Sequence, residues 1–130
     1  MDELTADAAI TLGGWDARCA VTLAVASAGD IAAALVNTNG DGAVIELDQY
    51  ERDAAGHWNE IGSGSAGDAG SSWSPRLTAA WGRTDSLASV EIEYLGSRRR
   101  VIASAAGWWL FIAPATPNHR ALPSVIAPLS

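Results

Sequence analysis

The chain has 130 residues, a formal net charge of −7 and one cysteine. This length fits a single domain with a sizeable core, and one cysteine excludes an internal disulfide. The surplus of carboxylates repels nucleic-acid phosphates, and no apolar run approaches the roughly 20 residues that span a bilayer. The sequence therefore indicates a soluble, acidic protein that binds neither nucleic acid nor membrane, and no cofactor is expected.

The first twenty residues predict little regular structure. Residues 1–8 are acidic and predict a flexible N-terminus without the basic stretch and apolar core of a signal peptide. A cytoplasmic protein is expected, although a secreted form with its leader removed would have the same sequence. Residues 10–15, ITLGGW, predict a short strand. The apolar neighbours of Cys19 predict a buried, unreactive thiol.

Residues 19–27, CAVTLAVAS, alternate as a strand does. Residues 31–38, IAAALVNT, predict the next strand. The alanine-rich stretch from Ile31 to Val36 also fits a short helix capped by Asp30, because alanine is the best helix former. The sequence leaves both interpretations of this segment open.

A hairpin is predicted around the turn-rich segment NGDG, residues 39–42. Its second arm, AVIELDQYER at 43–52, alternates between apolar and charged residues and so predicts a strand with one solvent-exposed face. A turn at 53–56 leads into the strand HWNEIGS at 57–63. The Gly- and Ser-rich residues 62–74 predict a loop.

Strands are predicted again from residue 76 onward. RLTAAWGR, residues 76–83, restores the alternation, and the region from Ser89 to Pro114 predicts three consecutive strands that turn at Gly96-Ser97 and at Gly107. This arrangement is a β-meander. Residues 115–130 contain three prolines, which lack the ladder donor of a central strand, so they predict an extended arm.

Counting these segments gives about eight or nine short strands separated by turn signals. That pattern is typical of an antiparallel β-sandwich, and it predicts a single all-β domain over residues 1–130 that ends in the three-strand meander. The general architecture resembles an immunoglobulin-like sandwich. The Cys…Trp…Cys spacing of that fold is absent, because the chain has one cysteine.

The segment NTNGDG resembles the calcium loop of EF-hand and dockerin repeats. Asn37, Asn39, Asp41 and Asp48 fall at loop positions 1, 3, 5 and 12, and Gly42 falls at position 6. The resemblance implies a calcium site made by these four side chains. Position 1 is Asn rather than Asp, and position 12 is the shorter Asp rather than Glu. A hairpin turn rich in Asn, Asp and Gly explains the same residues without a metal.

Two further motifs are weaker. Residues 62–67, GSGSAG, match the spacing GxGxxG, but a dinucleotide site also requires a strand before and a helix after it. A flexible loop explains the match. His57 and His119 have no acid or nucleophile partner in the sequence pattern and predict surface histidines.

Arg98, Arg99 and Arg100 form a basic cluster. With a turn at Gly96-Ser97, Arg100 falls opposite Glu93 and predicts a cross-strand charge pair. The alternative is that the three guanidinium groups grip a phosphate or a carboxylate.

The six tryptophans are the feature of the sequence that most strongly indicates a binding surface. In WWLFIAP both strand faces are apolar, so something must cover the face of Trp109 and Phe111: this chain, a partner protein, a second copy or a ligand. We predict a non-catalytic binding or assembly module that contacts a protein partner or another copy through Trp109 and Phe111, extended by Trp58, Trp73 or Tyr50.

A different class of function is also compatible with the sequence. A carbohydrate-active enzyme or sugar-binding domain would stack sugar rings on the tryptophans. The enzyme would draw a carboxylate pair from Glu46, Asp48, Glu91 and Glu93. These acids occupy the polar positions of alternating strands, where charged residues are expected in any case.

Overall fold

A computed structural model of the chain describes residues 3–116 and 122–126. The fold is mostly strand, 54% against 6% helix, which confirms the all-β prediction. In chain order the elements are α1 (Ala6–Leu12), β1 (Val21–Ala28), β2 (Ile31–Asn37), β3 (Ile45–Arg52), β4 (Trp58–Ser65), β5 (Gly70–Trp73), β6 (Leu77–Arg83), β7 (Ser89–Tyr94), β8 (Ser97–Ile102), β9 (Trp108–Pro114) and β10 (Ser124–Val125). The strands form three antiparallel sheets, while an immunoglobulin-like topology stays a prediction.

The chain divides into two compact units, Met1–Gly67 (unit 1) and Asp68–Ser130 (unit 2). Unit 1 is a four-stranded sheet in the order β1-β2-β3-β4 with α1 packed on one face. Ala9 and Ile10 of the helix meet Ala34, Val36 and Tyr50 of the sheet in a buried cluster. Burial of these apolar side chains provides the main stabilisation of the helix, because an isolated helix of two turns is marginal in water.

The helix α1 overturns two sequence predictions, the flexible N-terminus over residues 1–8 and the strand over 10–15. Thr5 caps the helix, its Oγ1 accepting a hydrogen bond from the Ala8 backbone N–H at 3.1 Å. Alanines fill much of the helix, and Gly13 forms its C-cap. The alternation of ITLGGW was a misleading signal, because Ile10 is buried against the sheet while Leu12, two residues later on the helix, remains 39% exposed.

Residues 31–37 form a strand, which settles the choice between strand and helix. β2 lies between β1 and β3 and pairs with both along its whole length. Both of its faces are buried, with Ala33 and Leu35 as inaccessible as Ala34 and Val36. Tertiary pairing on two sides therefore overrides the helix preference of the three alanines.

The segment 62–74, predicted as a loop, is largely strand. β4 continues to Ser65 in register with β3, and Gly70–Trp73 forms β5 against β6. Gly70 lies opposite Trp81, and a Cβ atom at Gly70 would come within 2.8 Å of the Trp81 ring. The glycine thus leaves room for an indole ring rather than marking disorder.

Unit 2 consists of two three-stranded sheets, β10-β7-β8 and β5-β6-β9. Seven buried residues form one apolar core, six from the two sheets and Ala103 just after β8: Ala80, Ile92, Tyr94, Ala103, Trp109, Phe111 and Ala113. All three strands predicted after Ser89 are present, but they are not a meander. β9 pairs with β6 instead of β8, and in this register the Trp109 ring lies over Gly82, which has no side chain to displace it.

The turn between β7 and β8 also differs from the prediction. Tyr94 pairs with Ser97, so the two turn residues are Leu95 and Gly96, with φ values of 52° and 78°. The register places Arg100 opposite Glu91, with 3.8 Å between Arg100 Nη2 and Glu91 Oε1, and it places Arg98 opposite Glu93. The predicted pair of Arg100 with Glu93 is therefore wrong, although the glutamates of β7 do lie opposite arginines of β8.

Replacing Leu95 with asparagine is expected to raise the free energy of unfolding by about 1 kcal/mol, because a leucine is strained at positive φ whereas Asn-Gly favours this two-residue turn. Leu95 is 54% exposed, so the substitution loses little packing. Urea denaturation measures the change. Leu95→Val is the control, since a β-branched residue is more strained at positive φ and should destabilise the hairpin. Stabilisation by valine would contradict the explanation.

The proline-rich tail contributes one short edge strand. Ser124 pairs with Glu93 and Val125 with Ile92, so β10 lies beside β7 at the border of its sheet. This position agrees with the expectation that the tail does not enter a central strand. The remainder of the predicted arm, including His119, lies largely outside the described residues.

Candidate functional site

The aromatic surface predicted from WWLFIAP is not exposed. Trp109 and Phe111 retain 5% and 7% of their accessible surface. The Phe111 ring lies 6.0 Å from the ring of Tyr94 on the opposing sheet, with a tilt of 59°, a favourable aromatic arrangement. The second apolar face of β9 is therefore covered by this chain, and the prediction of Trp109 and Phe111 as a docking surface is corrected.

The other aromatic candidates are also tied into the fold. Trp58 is half-buried beside the unit 1 core, and the Arg52 guanidinium lies 4.8 Å from its ring centre, which is within cation–π range. Tyr50 is fully buried, and its hydroxyl donates to the Ala9 carbonyl at 3.2 Å. Trp73 in unit 2 is half-buried on β5. Trp58 and Tyr50 therefore have packing roles that the sequence did not reveal.

A polar network surrounds Asp48, whose side chain is fully buried in unit 1. The Trp15 indole N–H donates to Oδ2 at 2.6 Å, and the Ser63 hydroxyl donates to Oδ1 at 2.7 Å. The Tyr50 hydroxyl lies 3.4 Å from Oδ2. These neutral donors replace the hydration that the carboxylate loses on burial. The network connects the segment after α1 to strands β3 and β4.

The buried carboxylate affects its neighbours. Burial, together with the nearby charge of Asp48, raises the pKa of Tyr50 well above its usual range. Desolvation and then the charge of Asp48 raise the pKa of Glu60. Gly13 is part of the same packing, since a Cβ atom there would lie 2.6 Å from the Trp15 indole nitrogen and 2.8 Å from Asp48 Oδ2.

Glu46 and Asp48 approach the geometry of a glycosidase pair without its accessibility. The Ser63 Oγ lies 3.3 Å from Glu46 Oε2 and 2.7 Å from Asp48 Oδ1, so these carboxylate oxygens are at most about 6 Å apart, an upper limit that is compatible with a retaining pair and too short for an inverting one. Asp48 has no accessible surface, however, and cannot reach a sugar. In unit 2, Glu91 pairs with Arg100, and Glu93 faces Arg98 across the hairpin.

Three of the four residues of the calcium hypothesis have other partners, and the fourth, Asn39, is exposed. Asn37 Oδ1 accepts hydrogen bonds from the backbone N–H groups of Gly40 and Gly42, both at 3.1 Å, and Asp41 Oδ1 accepts from Ala43 N–H at 2.9 Å. Asp48 points into the buried network. The structure thus uses these oxygens to shape a turn. Residues 3–116 and 122–126 contain no cluster of three or more His, Cys, Asp or Glu side chains suited to a metal.

The remaining sequence candidates lie apart from each other. The GSGSAG segment ends strand β4 and does not precede a helix. His57 is exposed after the turn that Asp53 shapes, where the Asp53 carboxylate accepts from the His57 backbone N–H at 3.0 Å. That bond, together with the Asn59 side chain, lowers the pKa of Asp53. Cys19 is exposed rather than buried, because the chain turns there through residues 17–19 before β1 begins.

Sequence reasoning missed a surface cavity of about 420 Å³ beside α1. Its walls come from the helix, from the turn after it and from the start of β1, and the lining residues are Ala6, Asp7, Ile10, Thr11, Ala17, Ala20, Val21 and Thr22. The walls are mainly small and apolar, and Asp7 is the charged residue among them. Its volume falls within the usual range of small-ligand sites. No motif indicates it, because it depends on a helix that the sequence did not predict.

Comparison of the chain with protein-family models, with curated proteins and with solved structures finds no match. In the part of the chain that the structure describes, no helix has the length and apolar character needed to cross a bilayer.

Proposed function

We propose that this chain is a non-catalytic binding module whose unit 1 takes a cationic segment of a partner protein. The observation that carries the proposal is the separation of charge along the chain. Residues 1–67 contain eleven carboxylates and two arginines, whereas residues 68–130 contain four carboxylates and six arginines. The acidic excess of the whole protein therefore belongs entirely to unit 1.

The carboxylates of unit 1 are available to a partner. Nine of its ten described acidic residues are exposed or half-buried, and Asp48 is the exception. Each of the two arginines pairs with an aspartate, Arg18 with Asp16 at 3.2 Å and Arg52 with Asp30 at 3.5 Å. The rest of the unit's surface keeps a negative surplus. Such a field steers and orients a basic partner.

The structure offers less support for catalysis. A catalytic acid or base must reach its substrate. Asp48, whose carboxylate accepts hydrogen bonds from Trp15 and Ser63, is inaccessible, and these donors instead link elements of the fold. The charge pattern thus favours binding over the alternative of a carbohydrate-active enzyme.

The proposal is tested with a short arginine-rich peptide and a glutamate-rich peptide of equal length. We expect the basic peptide to bind with a micromolar dissociation constant at about 150 mM salt and to weaken as salt rises, because the contacts are between exposed charges. Fluorescence anisotropy of a dye-labelled peptide measures the dissociation constant and its dependence on salt. Equal binding of the glutamate-rich peptide, or no binding of either, would overturn the proposal.

Matched charge removals locate the contact. Glu46→Gln, Asp41→Asn and Glu60→Gln together neutralise unit 1 positions and should weaken the basic peptide at least about tenfold, or 1.4 kcal/mol. Glu91→Gln with Glu93→Gln neutralises unit 2 positions and should not weaken it. Light scattering at low salt is the further control, because the arginine cluster at residues 98–100 of another copy is itself a basic segment. If the protein self-associates and the triple variant Arg98→Gln, Arg99→Gln, Arg100→Gln does not, the partner is a second copy of this chain and not a separate protein.

A further inference from the structure

The polar side chains that line the cavity beside α1, those of Asp7, Thr11 and Thr22, all present hydrogen-bond acceptors. Thr11 Oγ1 donates its hydrogen to the Asp7 carbonyl at 3.3 Å, and Thr22 Oγ1 donates to the Ala6 carbonyl at 2.9 Å. Each hydroxyl has one hydrogen, so its oxygen can then only accept a hydrogen bond. The Asp7 carboxylate also only accepts. The side-chain oxygens among the lining residues therefore suit a ligand that donates.

The rest of the cavity is suited to an aliphatic chain. Ile10 and Val21 line it together with small alanines, and Val21 remains 49% exposed at its mouth. Long basic side chains bury their methylene stems on such surfaces while their charged heads reach polar groups. The closest arginine in sequence does not fill this role, since Arg18 forms two side-chain hydrogen bonds to Asp16, each at 3.2 Å.

We infer that this cavity takes an arginine side chain of the cationic partner, its methylene stem against the apolar wall and its guanidinium on Asp7. The inference rests on the proposed function and assigns a specific subsite to it. Arginine is favoured over lysine because its planar head offers five donors to several acceptors at once and is weakly hydrated. Among the described residues no cation lies within ion-pair distance of the Asp7 carboxylate.

The test uses n-butylguanidinium as the probe and n-butylurea as its uncharged analogue, with the full chain observed by amide NMR. We expect guanidinium-induced shifts concentrated at Asp7, Thr11 and Ala20 to Thr22, with a millimolar dissociation constant. Asp7→Asn should weaken binding at least about fivefold, because the charge-assisted hydrogen bonds are lost. Glu93→Gln, which removes an exposed carboxylate of unit 2, should leave binding unchanged.

A second variant separates binding from effects on the helix. Ala17→Leu adds bulk to the cavity wall in the turn outside α1 and should reduce the same shifts. Equal binding of n-butylurea, shifts centred elsewhere, or no effect of either substitution would overturn the inference. If the arginine-rich peptide binds independently of Asp7, the subsite fails while the proposed function stands. If n-butylguanidinium occupies the cavity but the peptide does not bind, the proposed function fails instead.

Discussion

Replacing Asp48 with alanine is expected to lower the free energy of unfolding by about 2–4 kcal/mol. The substitution removes the acceptor of the Trp15 indole N–H and of the Ser63 hydroxyl and leaves a void at a fully buried position. The segment after α1 loses its polar link to the sheet. Urea denaturation followed by circular dichroism measures the loss, and amide exchange should show α1 opening more readily than β2.

Asp48→Asn is the matched control, and we expect it to cost less than about 1 kcal/mol. The amide oxygen can still accept from Trp15, and its NH2 group can donate to Ser63 Oγ, which in turn can donate to Glu46 at 3.3 Å. The Trp15 indole N–H and the Ser63 hydroxyl then each keep an acceptor. If asparagine destabilised the protein as much as alanine, the role of hydrogen bonding in this network would be refuted.

Trp109→Ala is expected to destabilise the protein by about 3–5 kcal/mol, because it empties the largest buried site of the unit 2 core. A docking residue would behave in the opposite way, since its loss would spare stability and abolish binding. Thermal and urea unfolding measure the first effect, and binding of the arginine-rich peptide measures the second. Unchanged stability with lost binding would contradict the buried position of this ring.

The glycine opposite Trp109 provides a double-mutant cycle. Gly82→Ala places a methyl group 2.7 Å from the Trp109 indole nitrogen and should cost about 1–3 kcal/mol. In the Trp109→Ala background the same methyl group meets no ring, so its cost should disappear. Additive effects would show that the cost at Gly82 comes from the backbone and not from the indole ring.

The sequence predicted strands well where apolar residues alternate with polar ones. In β3, Ile45 and Leu47 alternate with more polar residues, and in β7 the exposed Glu91 and Glu93 flank the buried Ile92. Such patterns are local and require no knowledge of the rest of the chain. The same alternation placed Asp48 in water, which is wrong. Its burial depends on Trp15, 33 residues earlier.

Non-local pairing explains the other differences. The two apolar faces of β9 were evident from the sequence, but its partner strand was not, because β6 lies beyond the entire β7-β8 hairpin. The helix α1 left a weak signal in Thr5 followed by alanines, which a search for capping residues can detect. The cavity left no signal in the sequence, since its walls come from three segments that become neighbours only on folding.

Cys19 makes this molecule convenient to label. Its exposed thiol lies in sequence between Ala17 and Ala20, which both line the cavity beside α1. A maleimide fluorophore on the native side chain would sit close to that opening and report its occupancy, with no engineered cysteine. The same accessibility allows two chains to be crosslinked by air oxidation, so storage under a reductant preserves the free thiol.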